Sequence, residues 1–403
     1  MENVDVVVIG GGQAGLATSY HLAEAGIAHL VLERDRVAQA WRNRWDNFTL
    51  VLPNWTLKLP GHHYEGDDPD GYMPRDSIVS YLEGYANKIP APVREGVEVT
   101  SLRRAGDGWH LQTSEGEIRS AAVVVATGAF QQAVKPPGWQ DIPSAIHRTD
   151  ISGYRNPDQL PTGKVLVIGS GQSGCQIAED LVIGGREVFL SCGRAPWLPR
   201  RAGDRDIYWW IDQSGFMDTP PSALSDPRER FGANPQLTGR DGGHDLHYRT
   251  LHDMGVTLLG HFAGSTDGVA HFEADLESSI GFGDQANRQL SQLIEAVANE
   301  RGEKVDLPDT PPWDVGSPDT LDWDGFGAVV SASGFRPGYR SWIDLPEAFD
   351  ELGFPVQDSE GLGALPGLHF VGVHFLRKRR SALFSGVGED AETVVGNIVA
   401  SLS

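Results

Sequence analysis

Cysteine is nearly absent: only Cys175 and Cys192 occur in 403 residues, with no Cys-x-x-Cys pair. This excludes a disulfide framework and offers no sequence sign of a dithiol redox centre. Cys175 reads as a small packing residue rather than a nucleophile. No apolar run reaches the roughly eighteen residues that a membrane helix needs, so no membrane contact is expected. Basic residues are scarce, 33 Lys plus Arg against 55 Asp plus Glu, and the net charge of −22 disfavours nucleic acid and anionic lipid as partners. The start, Met1-Glu2-Asn3-Val4-Asp5, lacks a basic leader and an apolar signal core, so a cytoplasmic location is expected. His62-His63, His244, His247 and His252 lack the ligand spacing of a zinc site and have no cysteine nearby, so no metal is expected.

Glycine, in contrast, is abundant, and it is patterned. Gly10-Gly11-Gly12-Gln13-Ala14-Gly15 follows the apolar strand Val6-Val7-Val8-Ile9, and Gly169-Ser170-Gly171-Gln172-Ser173-Gly174 follows Val165-Leu166-Val167-Ile168. Each precedes a helical stretch, the context in which a G-x-G-x-x-G turn holds a dinucleotide pyrophosphate on a helix N-terminus. Two dinucleotides on one chain are therefore expected. Glu33 ends the next strand, 23 residues after Gly10, where a carboxylate accepts hydrogen bonds from an adenosine ribose and repels a 2′-phosphate. The first site thus suits FAD or NAD. The equivalent position after Gly169 is Cys192, flanked by Ser191 and Arg194, a hydroxyl and a guanidinium suited to a ribose 2′-phosphate. NADPH is the expected second ligand.

Two further strand ends, Ala126-Thr127-Gly128 and Ser331-Ala332-Ser333-Gly334, are expected close to a dinucleotide. The fold class is α/β, with two Rossmann-like dinucleotide-binding domains: an FAD domain split into residues 1–150 and 325–403, and an inserted NADPH domain over 151–324. Residues 203–261, with Trp209-Trp210, fit neither fingerprint and read either as substrate-shaping loops or as a surface insertion. Arg377-Lys378-Arg379-Arg380 is the one strong basic cluster, read either as a solvated loop or as a lure for an anionic ligand.

Both fingerprints, Glu33, the Trp41-Arg42-x-Arg44-Trp45 block, Thr49-Leu50-Val51-Leu52-Pro53-Asn54, and the tail from Phe370 to Ala391 together resemble the flavin-containing, class B monooxygenases. The resemblance implies FAD reduced by NADPH, a C4a-hydroperoxyflavin, and transfer of one oxygen atom from O2 to a small organic substrate. It places Trp41 and Arg42 beside the flavin and gives Asn54 the catalytic role of hydrogen-bonding near the reactive flavin carbon. The family's aromatic-glycine-histidine signature survives only as His147, with Asp141 and Pro143 ahead of it and Ile151 behind. His147 reads either as an inter-domain linker residue or as a plain loop histidine. A reductase passing electrons to a quinone or redox protein remains the alternative, and a homodimer is compatible with the sequence.

Overall fold

Alternate residues of the first strand serve two cores. In the computed structural model, which describes residues 1–402, Val6 and Val8 pack into one apolar cluster and Val7 and Ile9 into another, all at most 5% exposed. A strand buried on both faces is what a parallel sheet covered on both sides requires. Val165 and Val167 against Leu166 and Ile168 repeat the arrangement in a second sheet.

The first sheet runs in the order 93–95, 29–33, 2–9, 116–125, 108–113 and 99–105. The long Gly116–Val125 strand is shared: its first half pairs antiparallel with Gly108–Thr113, and its last residues pair parallel with Leu368–Phe370. Register brings Ile9, Leu32, Val125 and Phe370 level. Gly10, Glu33, Ala126 and Val371 therefore emerge at one edge, the carboxyl end where open α/β sheets bind ligands. The helix Gln13–Glu24 lies against the C-terminal helix Val387–Leu402 through Leu16, Ala17, Val394, Val395 and Ile398.

The second sheet is wholly parallel, in the order 147–150, 326–331, 164–168, 188–191 and 257–259. This corrects three expectations. Phe326–Ser331, expected to open the C-terminal part of the first unit, is a central strand of the second sheet, because all six residues are buried and need partners on both sides. His147–Asp150 lies there too, rather than in the first unit. Residues 203–261 are not one insertion, since the helix Tyr248–Asp253 and the edge strand Thr257–Leu259 complete the second sheet. His147 is the exposed first residue of an edge strand, neither linker nor loop.

Two connections join the units, and they cross as a short antiparallel pair, Gln132–Ala133 with Phe335–Arg336. Buried polar groups lock the rest of the seam. Asp180 accepts from Asn47 (2.9 Å), Arg240 (2.9 Å) and Tyr154 (2.7 Å). Arg200, 2% exposed, donates to Asp206 (2.6 Å) and to the carbonyl of Val51 (2.9 Å), while Tyr72 donates to the same Asp206 and lies under the guanidinium.

Candidate active site

The two glycine turns are built alike. Gly10 and Gly169 hold φ of +114° and +102°, which side chains rarely adopt. A methyl on Gly15 would sit 1.8 Å from Gly10 O, and one on Gly174 would sit 1.9 Å from Gly169 O. Neither turn admits a side chain there. Beyond Ile9 and Ile168 the chain is pinned by matching hydrogen bonds, Ala126 N–H to Ile9 O (2.8 Å) and Ala332 N–H to Ile168 O (2.7 Å). This sets Ala126-Thr127-Gly128 beside the first turn and Ser333-Gly334 beside the second. The helices starting at Gln13 and Gln172 have no side-chain cap, so their first N–H groups are free for phosphate oxygens.

The turns differ in what faces them. A methyl on Gly12 would meet nothing within 4 Å, whereas one on Gly171 would touch Ala233 Cβ at 3.7 Å. The segment 235–237 lies across the second turn: Gln172 donates to Pro235 O (3.2 Å), Gln176 to Leu237 O (3.0 Å), and Gln236 to Ser170 O (2.8 Å).

At the first turn, Glu33 accepts from Gly11 N–H (2.7 Å) and Asp35 N–H (2.9 Å), which fixes the carboxylate with lone pairs to spare for ribose hydroxyls. Trp41 donates to Gln13 (3.0 Å) and stacks on Phe384 at 5.6 Å, and Gln13 in turn donates to Ala382 O (3.2 Å). Ala14 is buried against the Gly372 backbone, where a methyl would come within 2.5 Å of it. Arg42 is spent elsewhere, donating to Val37 O and paired with Glu83, so its expected place beside the flavin is not supported by its partners.

At the second site Arg194 is exposed, with no ion pair among the described residues. Ser191 does not match its expected role: 3% exposed, it donates to Gly260 O (3.0 Å) and accepts from Phe262 N–H (2.9 Å), tying two loops together. The Ser170 hydroxyl is likewise committed, to Tyr248 (2.6 Å) and Gly193 N–H (2.8 Å), leaving only its backbone for a ligand. Ser173 is half-buried at the helix start.

Asn54 is 5% exposed and donates to Asp68 O at 2.9 Å, and its Oδ1 is buried without a partner. The unpaired atom is the amide's acceptor oxygen. A single apolar cluster spans the seam beside it, holding Val51, Leu52 and Trp55 with Ile207, Tyr208 and Ile211, Leu237 from over the second turn, and Leu383. A cavity of about 590 Å³ lies apart from both turns, lined by Pro199–Arg201, Gly243–Asp245 and Asp306–Pro308. His244 at its wall is held above the usual imidazole range by its hydrogen bond with buried Glu179 (2.5 Å).

The basic cluster is mostly internal structure. Arg377 pairs with Asp390, Lys378 with Glu389, and Arg380 with Asp212 and Asp218, while Arg379 lies between the Phe216 and Phe375 rings. It fastens the C-terminal segment to the 207–218 region. Both cysteines are fully buried, and burial pushes both thiols up. Sequence reasoning missed Tyr72, Arg200, Asp206, Gln236 and Tyr248, since polar residues that meet only in three dimensions leave no spacing pattern.

Two dinucleotide turns, each at the carboxyl end of parallel strands in its own sheet, with a shared apolar seam, define a flavoprotein oxidoreductase. The chain belongs to the pyridine nucleotide-disulphide oxidoreductase family, whose match covers residues 7–212. It is 32% identical to an uncharacterized CzcO-like oxidoreductase of Geobacillus kaustophilus over 98% of both chains. It is 35% identical to the indole-3-pyruvate monooxygenase YUCCA1 of rice, Oryza sativa, over 72% of this chain and 75% of that one. Its fold superposes on a flavin-containing monooxygenase from Stenotrophomonas maltophilia with a TM-score of 0.68 over all of both chains, at 21% identity. The resemblance to flavin-containing monooxygenases thus holds along the whole chain. Among the described residues, no helix is long and apolar enough to cross a membrane, and no cluster of metal-ligating side chains occurs.

Proposed function

We propose that the protein is an FAD- and NADPH-dependent monooxygenase that places one atom of O2 in a small organic substrate. The observation that carries this reading is the pairing of two dinucleotide turns with two buried, inert thiols. With no dithiol relay of its own, the chain offers an apolar seam that would exclude water around a bound flavin and a second substrate.

The residues present fit both groups. Gly10, Gly12, Gln13, Ala14 and Gly15 would hold the FAD pyrophosphate on the helix start, and Glu33 its ribose, with Trp41 and Ala126-Thr127-Gly128 lining the site. Gly169, Gly171, Gln172, Ser173 and Gly174 would hold NADPH, with Arg194 on its 2′-phosphate and Ser333-Gly334 alongside. Bound FAD, reduced by NADPH, supplies the oxygen chemistry. The balance is substrate + NADPH + H⁺ + O2 giving oxygenated substrate, NADP⁺ and water, and it requires no protein nucleophile. The chain's own task is to bind, orient and exclude water. Val51, Leu52, Trp55 and Leu383 supply a dry wall, and Asn54, whose Oδ1 is unpaired, is the catalytic candidate that orients the reacting group.

Turnover of NADPH with isotopically labelled O2 and a panel of lipophilic amines, sulfides, ketones and aromatics tests the proposal. Label in a product supports it. Turnover under nitrogen with a quinone or redox protein, and no labelled product in air, would replace it with the reductase reading.

A further inference from the structure

The strand Val188–Ser191 ends where a dinucleotide-binding sheet reads the adenosine ribose. Cys192 is fully buried there, and the Ser191 hydroxyl is spent on the neighbouring loop. What Ser191 holds is specific: it donates to Gly260 O and accepts from Phe262 N–H, the two peptide groups that bracket His261. Register sets Leu259 level with Ser191, so His261 comes up beside Gly193. A methyl on Gly193 would lie 3.1 Å from His261 Nε2, which puts the imidazole against this loop one residue from exposed Arg194. Gly193 itself is clamped, its N–H donating to Ser170 Oγ (2.8 Å) and its carbonyl accepting from Tyr248 (2.6 Å).

Asp275 fixes the other edge of the ring. Its Oδ2 lies 2.5 Å from His261 Nδ1, and its Oδ1 accepts from His261 N–H at 2.9 Å. Asp275 is the N-cap residue of the helix Leu276–Glu300, yet its side chain caps no N–H of that helix. An aspartate at an N-cap ordinarily accepts from the first helical turn; here both oxygens are turned to His261 instead. Nδ1 is thereby committed, and Nε2, on a ring about half exposed, has no partner among the described residues. In the imidazolium form both ring nitrogens donate, one to Asp275 and the other outward. His261 and Arg194 thus bring two charged donors to the loop that meets the ribose, a set that matches a phosphate monoester.

We propose that His261 binds the 2′-phosphate of NADPH together with Arg194, and so sets the preference for NADPH over NADH. This rests on the reading of the second turn as an NADPH site. His261 touches the cofactor, while Asp275, which orients the ring, and Ser191, which fastens the peptide groups on either side of it, are positioning residues.

The test is calorimetric titration of FAD-loaded, oxidised protein with adenosine 2′,5′-bisphosphate and with 5′-AMP, which differ only in the 2′-phosphate. The wild-type protein binds the bisphosphate about a hundredfold more tightly, two charge-assisted contacts at roughly tenfold each. His261→Ala loses about tenfold in bisphosphate affinity and nothing for 5′-AMP. Asp275→Asn loses part of the same preference, again without touching 5′-AMP. Unchanged bisphosphate affinity in His261→Ala, or an equal loss for both probes, overturns the proposal, and an unchanged preference in Asp275→Asn removes Asp275 from it. Flavin content reports folding; should His261→Ala lose FAD, His261→Gln, close in size but uncharged, decides with the same expectation. A wild-type protein that binds both probes equally overturns this inference and the NADPH assignment together. A selective loss in His261→Ala from a protein that yields no labelled product from O2 would sink the monooxygenase reading and leave this inference standing.

Discussion

Replacing Gly174 with alanine puts a methyl 1.9 Å from Gly169 O and 3.3 Å from Ala332 Cβ. The carbonyl contact is more than an ångström inside the 3.0 Å that real Cβ atoms respect, and the atom it meets is backbone, which cannot rotate away. The helix Gln172–Ile183 must therefore lift from its strand, carrying the free N–H groups of its first turn away from a bound pyrophosphate. Overpacking of this kind costs roughly 1–3 kcal/mol, and at the upper end that is on the order of a hundredfold in affinity. The damage stays in the second sheet, so FAD content should match wild type while the NADPH concentration for half-maximal flavin reduction rises about a hundredfold. Anaerobic stopped-flow reduction measures this, with dithionite as the control that the flavin is still reducible. Gly15→Ala, with its methyl 1.8 Å from Gly10 O, should instead lose FAD. Wild-type NADPH dependence in Gly174→Ala would refute the assignment of the second turn.

Arg194→Ala should raise KM for NADPH but not NADH, by the roughly 1.5–3 kcal/mol of a charge-assisted hydrogen bond; equal effects on both nucleotides would remove Arg194 from the site. Asn54→Ala should divert NADPH oxidation to hydrogen peroxide, with product per NADPH falling by about tenfold, ~1.4 kcal/mol in barrier, and unchanged coupling would exclude Asn54 from the mechanism. Arg200→Ala leaves Asp206 charged and buried at 3% exposure. It should destabilise the protein by about 3–5 kcal/mol, seen as a lowered denaturation midpoint. His244 is raised in the folded state, chiefly by its hydrogen bond to Glu179. The stability it adds is full below the unfolded imidazole pKa and fades as pH rises through the folded one. His244→Gln should therefore cost more thermal stability at pH 6 than at pH 9, and a pH-independent loss would contradict the pairing.

The parts of the fold that reduce to local pattern were readable in advance. Both turns were, because a strand of Val and Ile, glycines at fixed offsets and a following helix are contiguous in the chain, and Glu33 followed by counting. Phe326–Ser331 was assigned to the wrong sheet because an apolar strand carries no mark of its partner; only register with Lys164–Ile168 decides it. Ser191 stands at the right offset, but its hydroxyl bridges a loop seventy residues away, a competition that spacing does not encode. The Arg377–Arg380 run looked like a free basic patch until Asp390, Glu389, Asp212 and Asp218 arrived from other elements.

The most direct test is rapid mixing. FAD-loaded protein is reduced anaerobically with NADPH and mixed with oxygenated buffer while the flavin spectrum is followed. The account predicts a distinct absorbing species that outlives mixing and precedes the oxidised spectrum, with peroxide release slower than its formation. Direct return to oxidised flavin, with peroxide released in step, would contradict it.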